Sequence, residues 1–186
     1  MKNICGIFAI VVIIVAALAC STDDTTKANA VVDEANKFVA AANVSVVQGS
    51  ILGNEFDQKV STIKGKADLA DARDLGKNLM KEYDSMVDNF KKAGDKFDEA
   101  SKLKIKDKHK EYLETKAKEM RLRSDYAVEM KKIPQALIDT DSKSDFTDTV
   151  KNLVAKIKTM TSDAQDLSDK GDKIVKENPD IMQQPK

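Results

Sequence analysis

The sequence predicts an all-α fold, an antiparallel up-down-up-down four-helix bundle of long helices, on three observations. Charged residues make up 33% of the chain, with no Trp and only three Pro, which is the composition of solvated helices with a narrow apolar seam. Apolar residues recur at alternating steps of four and three over several segments, a period that neither strand nor loop gives. Strand signals are nearly absent, since Val44 to Val47 is the only cluster rich in β-branched residues and it is short.

The first helix is expected from about Lys27 to Lys64. Val31, Ala35, Phe38, Ala42, Val46, Gly49, Leu52, Phe56, Val60 and Ile63 keep one helical phase across Gly49 and Gly53. Gly65 is expected to close it as a C-cap. A break at Gly49 to Asn54, giving five helices, stays open because Gly-Asn is also a turn signal. The second helix carries the seam Leu75, Leu79, Tyr83, Met86, Phe90, Ala93, Phe97 and Ala100. Asp68, Asp71 and Asp74 at its start and Lys102 and Lys104 at its end complement the helix dipole.

A third helix is expected from near Asp107, using Tyr112, Leu113, Ala117, Met120, Ser124 and Ala127. Pro134 should kink it or end it near Lys132, because the ring removes a backbone bond and clashes with the preceding turn. Ala136 to Ile138 would then form a further short turn. The fourth helix has the clearest seam: Phe146, Val150, Leu153, Ile157, Met160, Ala164, Leu167, Gly171 and Ile174. Ser142 or Ser144 can cap its start, and Asn178-Pro179 stops it. Four segments of similar length with short connections argue the up-down bundle, over residues 28–178. Residues 20–27 read as a polar tether and 179–186 as a flexible C-terminal tail.

The N-terminus carries an address. Lys2 is a minimal basic region, Ile4 to Ala19 is uncharged, and Ala17-Leu18-Ala19-Cys20 follows. This resembles the lipobox of bacterial lipoproteins. The resemblance implies that residues 1–19 are a signal peptide and are removed. It further implies that Cys20 takes a diacylglyceryl group, becomes the mature N-terminus and anchors the chain to the lipid bilayer outside the cytoplasmic membrane. Ala17-Leu18 reverses the family's preferred order of Leu then a small residue. Ser21 resembles the context that sends such proteins to the outer membrane of a host with two membranes. The likeness covers the first twenty residues only. Two alternatives stand beside it. Asn3 to Thr22 is long enough to span a bilayer as an uncleaved anchor, or cleavage after Ala19 releases a soluble protein with a free thiol. Cys5 lies in the leader, so the mature chain keeps Cys20 alone and forms no internal disulfide.

Charge and motifs narrow the function classes. Lys and Arg number 31 against 31 Asp and Glu, a balance that does not suggest nucleic acid. His109 is the single histidine, and Lys106 stands three residues before it, so the Glu-x-x-His pairs of carboxylate-bridged metal bundles are missing. His109 reads as a solvated residue in the first turn of the third helix. No phosphate-cradling Gly-rich loop or Gly-x-Ser-x-Gly occurs. Pairs such as Asp98 and Lys102, Glu114 and Lys118, or Asp169 and Lys173 are ordinary dressing of an exposed helix face. Met80, Met86, Met120, Met130 and Met160 read as core filling rather than a ligand groove, and Tyr83, Tyr112 and Tyr126 likewise. Neither an enzymatic role nor a metal or cofactor is therefore expected.

One local pattern stands out. Lys102, Lys104, Lys106, Lys108 and Lys110 alternate through the turn between the second and third helices. In an up-down bundle this turn returns to the end where the chain starts, so the lysines would lie beside the lipid anchor and touch the membrane surface. The expected function is a membrane-anchored, non-catalytic helical bundle with a protein or envelope partner or a structural role. The alternative is a small-molecule or lipid-binding bundle with a cavity lined by Phe38, Phe90, Met120 and their neighbours.

Overall fold

The computed structural model describes residues 24–140 and 143–182. Cys20, with the leader before it, lies outside the described residues, as do Ser142 and residues 183–186. The described chain consists of α1 (Thr25–Thr62), α2 (Lys66–Ser101), α3 (Asp107–Asp139), α4 (Lys143–Glu177) and a 3-10 turn, Pro179–Met182, with no strand. The fold is all-α, as the periodicity predicts.

Helix α1 runs unbroken through Gly49 and Gly53, which removes the five-helix alternative. Gly49 faces α2: a Cβ there would meet Tyr83 Cε1 at 3.6 Å and Met86 Sδ at 3.9 Å, ordinary van der Waals distances. Small residues dominate the buried side of α1, with Ala28, Ala35, Ala42, Ser45 and Gly49 beside Val39 and Phe56, and they let α2 approach closely. The helix also starts earlier than the tether reading allows. The Ala28 N–H donates to the Asp24 carbonyl at 2.8 Å, and Asp24 is itself fixed to the α2–α3 turn.

The α1–α2 connection corrects the reading of Gly65. Ile63 is the C-cap of α1, whereas Gly65, at φ −156°, is the N-cap of α2. The organising group is Asp68. Its Oδ2 accepts the Lys64 N–H at 2.9 Å and the Gly65 N–H at 3.2 Å, which satisfies donors that have no partner inside the helix.

Pro134 neither ends α3 near Lys132 nor separates a further short turn, because the helix continues to Asp139. The ring is fully buried where three helices meet. A Cβ on Gly76 would stand 3.3 Å from Pro134 Cβ and 3.2 Å from Phe56 Cε2, so Gly76 makes the room that both rings occupy. Ala136 and Leu137, one turn on, are buried too. This apolar packing offsets the backbone bond that proline cannot donate. Arg73 of α2 then caps the end of α3 from outside: Nε donates to the Leu137 carbonyl at 3.2 Å and a terminal nitrogen donates to the Thr140 carbonyl.

Each helix packs on the next in the chain, α1 on α2, α2 on α3 and α3 on α4, while α1 and α4 share no comparable interface. Across α1 and α2, Glu34 pairs with Lys96 at 2.7 Å, Ser45 with Ser85 at 2.8 Å and Lys59 with Asp71 at 3.5 Å. Across α2 and α3, Lys131 meets Asp84 at 2.6 Å, Ser124 donates to the Val87 carbonyl at 3.1 Å, and Arg121 meets Asp98 at 3.3 Å. Across α3 and α4, Glu129 meets Lys156 at 2.9 Å, and Gly171 lies against Tyr112 and Lys116.

The main core runs through α1, α2 and α3, and its buried members include only Phe146 from α4, with Val150 partly buried against it. Seven of the eight expected α2 seam residues are buried, and Leu75 is half-buried. Ile157, Ala164 and Ile174 of α4 are buried away from that main cluster. After Glu177 the chain does not fray at once. It forms the 3-10 turn, and Ile181 is buried, so the expected tail is anchored at least that far by an apolar side chain.

Candidate functional site: the lysine-bearing end of the bundle

The lysine alternation has a structural cause. Between α2 and α3 the chain reads Lys102-Leu103-Lys104-Ile105-Lys106, and Leu103 and Ile105 are half-buried against the core while the lysines are exposed. Lys108 and Lys110 continue the exposed set into the first turn of α3. All five lysines are thus exposed at one end of the molecule.

The start of α1 is held at that same end. The Asp24 N–H donates to the Lys104 carbonyl at 2.8 Å, and the Lys104 N–H donates back to Asp24 Oδ2 at 3.1 Å. Asp24 is four residues beyond Cys20 in the sequence. The C-terminal end of α4 arrives there too, since Lys106 Nζ stands 2.7 Å from Asp180 Oδ2 in the 3-10 turn.

The lysine cluster is not a bare positive surface. Lys102 pairs with Asp98 at 2.7 Å, Lys108 with Glu111 at 2.8 Å, and Lys106 with Asp180. Hydrogen bonds from these lysines hold the Asp98, Glu111 and Asp180 carboxyls below their ordinary range. Glu111 in turn raises the Lys108 ammonium. Among the described residues Lys104 and Lys110 form no side-chain ion pair, so they carry the local positive charge.

His109 is buried, at 5% exposure, rather than solvated. It stands four residues before Leu113 and eight before Ala117, on their buried face. Among the described residues no group of three or more His, Cys, Asp or Glu side chains could hold a metal ion. No helix among them is long and apolar enough to cross a membrane.

The expected cavity residues are packed. Phe90 and Met120 are buried core members, and Phe38 is half-buried with Lys92 Nζ 5.7 Å from its ring centroid. An open depression lies elsewhere, on the charged surface of α4 beside Asp169, Asp172, Lys173, Lys176 and Glu177.

Two features escaped the sequence reading. The first is a row of buried charge on α3. Glu119 and Arg123, at 2% and 6% exposure, pair at 2.7 Å, and Lys116 joins Glu119 at 2.5 Å. Nearly two turns beyond Arg123, Lys132 and Lys156 hold the Glu129 carboxyl below its ordinary range. Burial pushes the nearby Tyr112 phenol up to about 12, and raises that of Tyr126 as well. The i,i+4 spacing of Glu119 and Arg123 was visible, but nothing in it separates a buried pair from an exposed one. The second feature is apolar and exposed: Val44, Val47 and Ile51 of α1 are 64%, 58% and 48% exposed. Its signal is legible, since residues 38–54 contain no charged side chain in a chain so rich in charge.

No protein family matches the chain, and neither a curated protein nor a solved structure shows significant similarity to it.

Proposed function

We propose that this chain is a bacterial lipoprotein, acylated on Cys20 and displayed outside the cytoplasmic membrane. On this reading it presents an antiparallel up-down-up-down four-helix bundle as a non-catalytic domain for protein or envelope interaction, or as a structural element. The observation that carries the proposal is the reciprocal pair of hydrogen bonds between Asp24 and Lys104, one backbone to backbone and one from the Lys104 N–H to the Asp24 carboxylate. It gives the few residues between Cys20 and α1 a fixed point at the lysine-bearing end, so an acyl anchor on Cys20 would hold that end toward the bilayer. The opposed order of contact partners along each pair of helices supports the up-down arrangement. The packed surroundings of Phe90 and Met120 favour an interaction role over a ligand cavity.

The anchor has a direct test. Intact-mass measurement of the mature protein should find a chain that begins at Cys20 and carries lipid. Cys20→Ala should lose that mass and shift the protein out of the membrane fraction. A variant that keeps both the wild-type mature mass and its membrane partitioning refutes the lipoprotein reading.

Membrane contact by the lysine turn has a sharper test inside the cluster. Lys104→Gln with Lys110→Gln should weaken binding to anionic vesicles by about tenfold at low salt, where screening is least. Lys102→Gln with Lys108→Gln should have less effect, because those side chains are already engaged by Asp98 and Glu111. Binding that responds to neither pair nor to salt removes the contact from the function.

A further inference from the structure

We infer that the exposed stripe on α1 is a self-complementary interface through which two copies of this chain pair, α1 against α1 and antiparallel. The inference goes beyond the lipid-anchored reading and does not depend on acylation of Cys20.

The serial packing of the helices leaves α1 and α4 as outer helices, each with an uncovered face. On α4 that face is dressed as solvated helices are, with Lys151, Lys158, Asp163 and Asp166 exposed. On α1 the corresponding stretch is bare of charge from residue 38 to residue 54. Ala40, Val44, Val47 and Ile51 follow the three-and-four spacing of a second apolar stripe, opposite the one that packs on α2. A helix apolar on two faces has two neighbours to satisfy, and the protomer provides one.

Charge identifies the second neighbour. The stripe is closed by Lys37 at one end and Glu55 at the other, both exposed. Eighteen residues separate them, five whole turns at 3.6 residues per turn, so they share one azimuth with Val44 and Ile51. They are also about 27 Å apart along the helix, too far to pair within one chain. An antiparallel copy related by a two-fold axis near residue 46 sets each Lys37 against the partner's Glu55. The same register brings the small Ala40 and Ala41 opposite Ile51, and Val44 opposite Val47 and Gln48. Such a patch meets itself, as an isologous interface must. A bilayer fits less well, because interfacial helices carry basic residues along their polar flanks, whereas Asn43, Gln48, Ser50 and Asn54 flank this stripe. A strip one helix wide falls at the small end of specific interfaces, so association is weak in dilute solution.

The experiment is sedimentation equilibrium of the full-length chain in density-matched detergent micelles, with a rescue series. The wild type should dimerise with rising concentration. Lys37→Glu and Glu55→Lys should each weaken association by about tenfold, since each sets like charges opposite at both ends of the interface. The double variant Lys37→Glu/Glu55→Lys should restore wild-type affinity, which damage to the fold or recognition of a different protein would not do. Val47→Glu should abolish the dimer while leaving helical circular dichroism unchanged, the site being exposed. A chain that stays monomeric throughout, or single variants that the double variant does not rescue, overturns the inference. So does a Val47→Glu variant whose only defect is weaker binding to zwitterionic vesicles, which would make the occupant a membrane. None of these readouts reports lipid on Cys20, so failure here is distinct from failure of the lipoprotein reading.

Discussion

Phe56→Ala is expected to lower the unfolding free energy by about 3–5 kcal/mol, the range for truncating a buried phenylalanine. The side chain is 1% exposed and lies where α1, α2 and α3 meet, with Gly76 cut away to admit it. Its ring also meets that of Phe146 edge-on, at a centroid distance of 6.2 Å and an interplanar angle of 74°. That contact brings the start of α4 into the main core, so truncation loses more than transfer energy. Total stabilities are commonly about 5–15 kcal/mol, and a loss of this size moves a urea midpoint far outside measurement error. Lys151→Ala, on the outer face of α4, should stay within about 0.5 kcal/mol. A double cycle with Phe146→Ala should return a coupling of about 0.5–1.5 kcal/mol. Equal midpoints for Phe56→Ala and Lys151→Ala would mean that the buried face has been misassigned.

Phe56 also illustrates what the sequence makes legible. It lies on the phase that runs through α1 from Val31 to Ile63, and that phase predicted both its burial and the continuity of the helix across Gly49. Periodicity reports the sum of many small preferences, so it survives two glycines that each cost about 1 kcal/mol. Single-residue rules fared worse, because one tertiary contact can outweigh them. Pro134 is a helix breaker by local sterics, yet Gly76 and Phe56 from other helices make burial of its ring the stronger effect. Gly65 is a good C-cap by type, but the Asp68 carboxylate takes the Gly65 N–H and makes it the start of α2 instead.

The candidate site was legible in part for the same reason. The lysine alternation is visible in sequence, but its cause, Leu103 and Ile105 turning inward, depends on the core they meet. Its partial neutralisation by Asp180 joins residues 74 positions apart, which no local pattern reports. The Val44, Val47 and Ile51 stripe could have been found from the absence of charge between Phe38 and Asn54. A search for apolar seams takes each helix to have one buried face, and Val46 on the inner side satisfied it. Ala17 to Cys20, the stretch that resembles a lipobox, lies outside the described residues.

Glu119→Ala should be as damaging as the loss of a core aromatic, for an electrostatic reason. Glu119 and Arg123 are both buried, bonded at 2.7 Å and 2.8 Å, and the carboxylate also receives Lys116. Lys116 is the more exposed of the two cations, and its flexible stem lets the ammonium turn to water when its partner is removed. Arg123 has less freedom. At 6% exposure its guanidinium stays in a low-dielectric site, where loss of the Glu119 carboxylate leaves its positive charge less compensated. Breaking a buried pair from one side costs about 3–5 kcal/mol for that reason, whereas replacing both partners by apolar groups of similar volume is often neutral or stabilising. Glu119→Leu combined with Arg123→Met should therefore recover most of the loss seen in Glu119→Ala, read as denaturant midpoints at one pH. Should the double replacement be as unstable as the single one, the loss is one of shape rather than of unpaired charge. Should Glu119→Ala be silent, the row on α3 is solvated and α4 does not cover it.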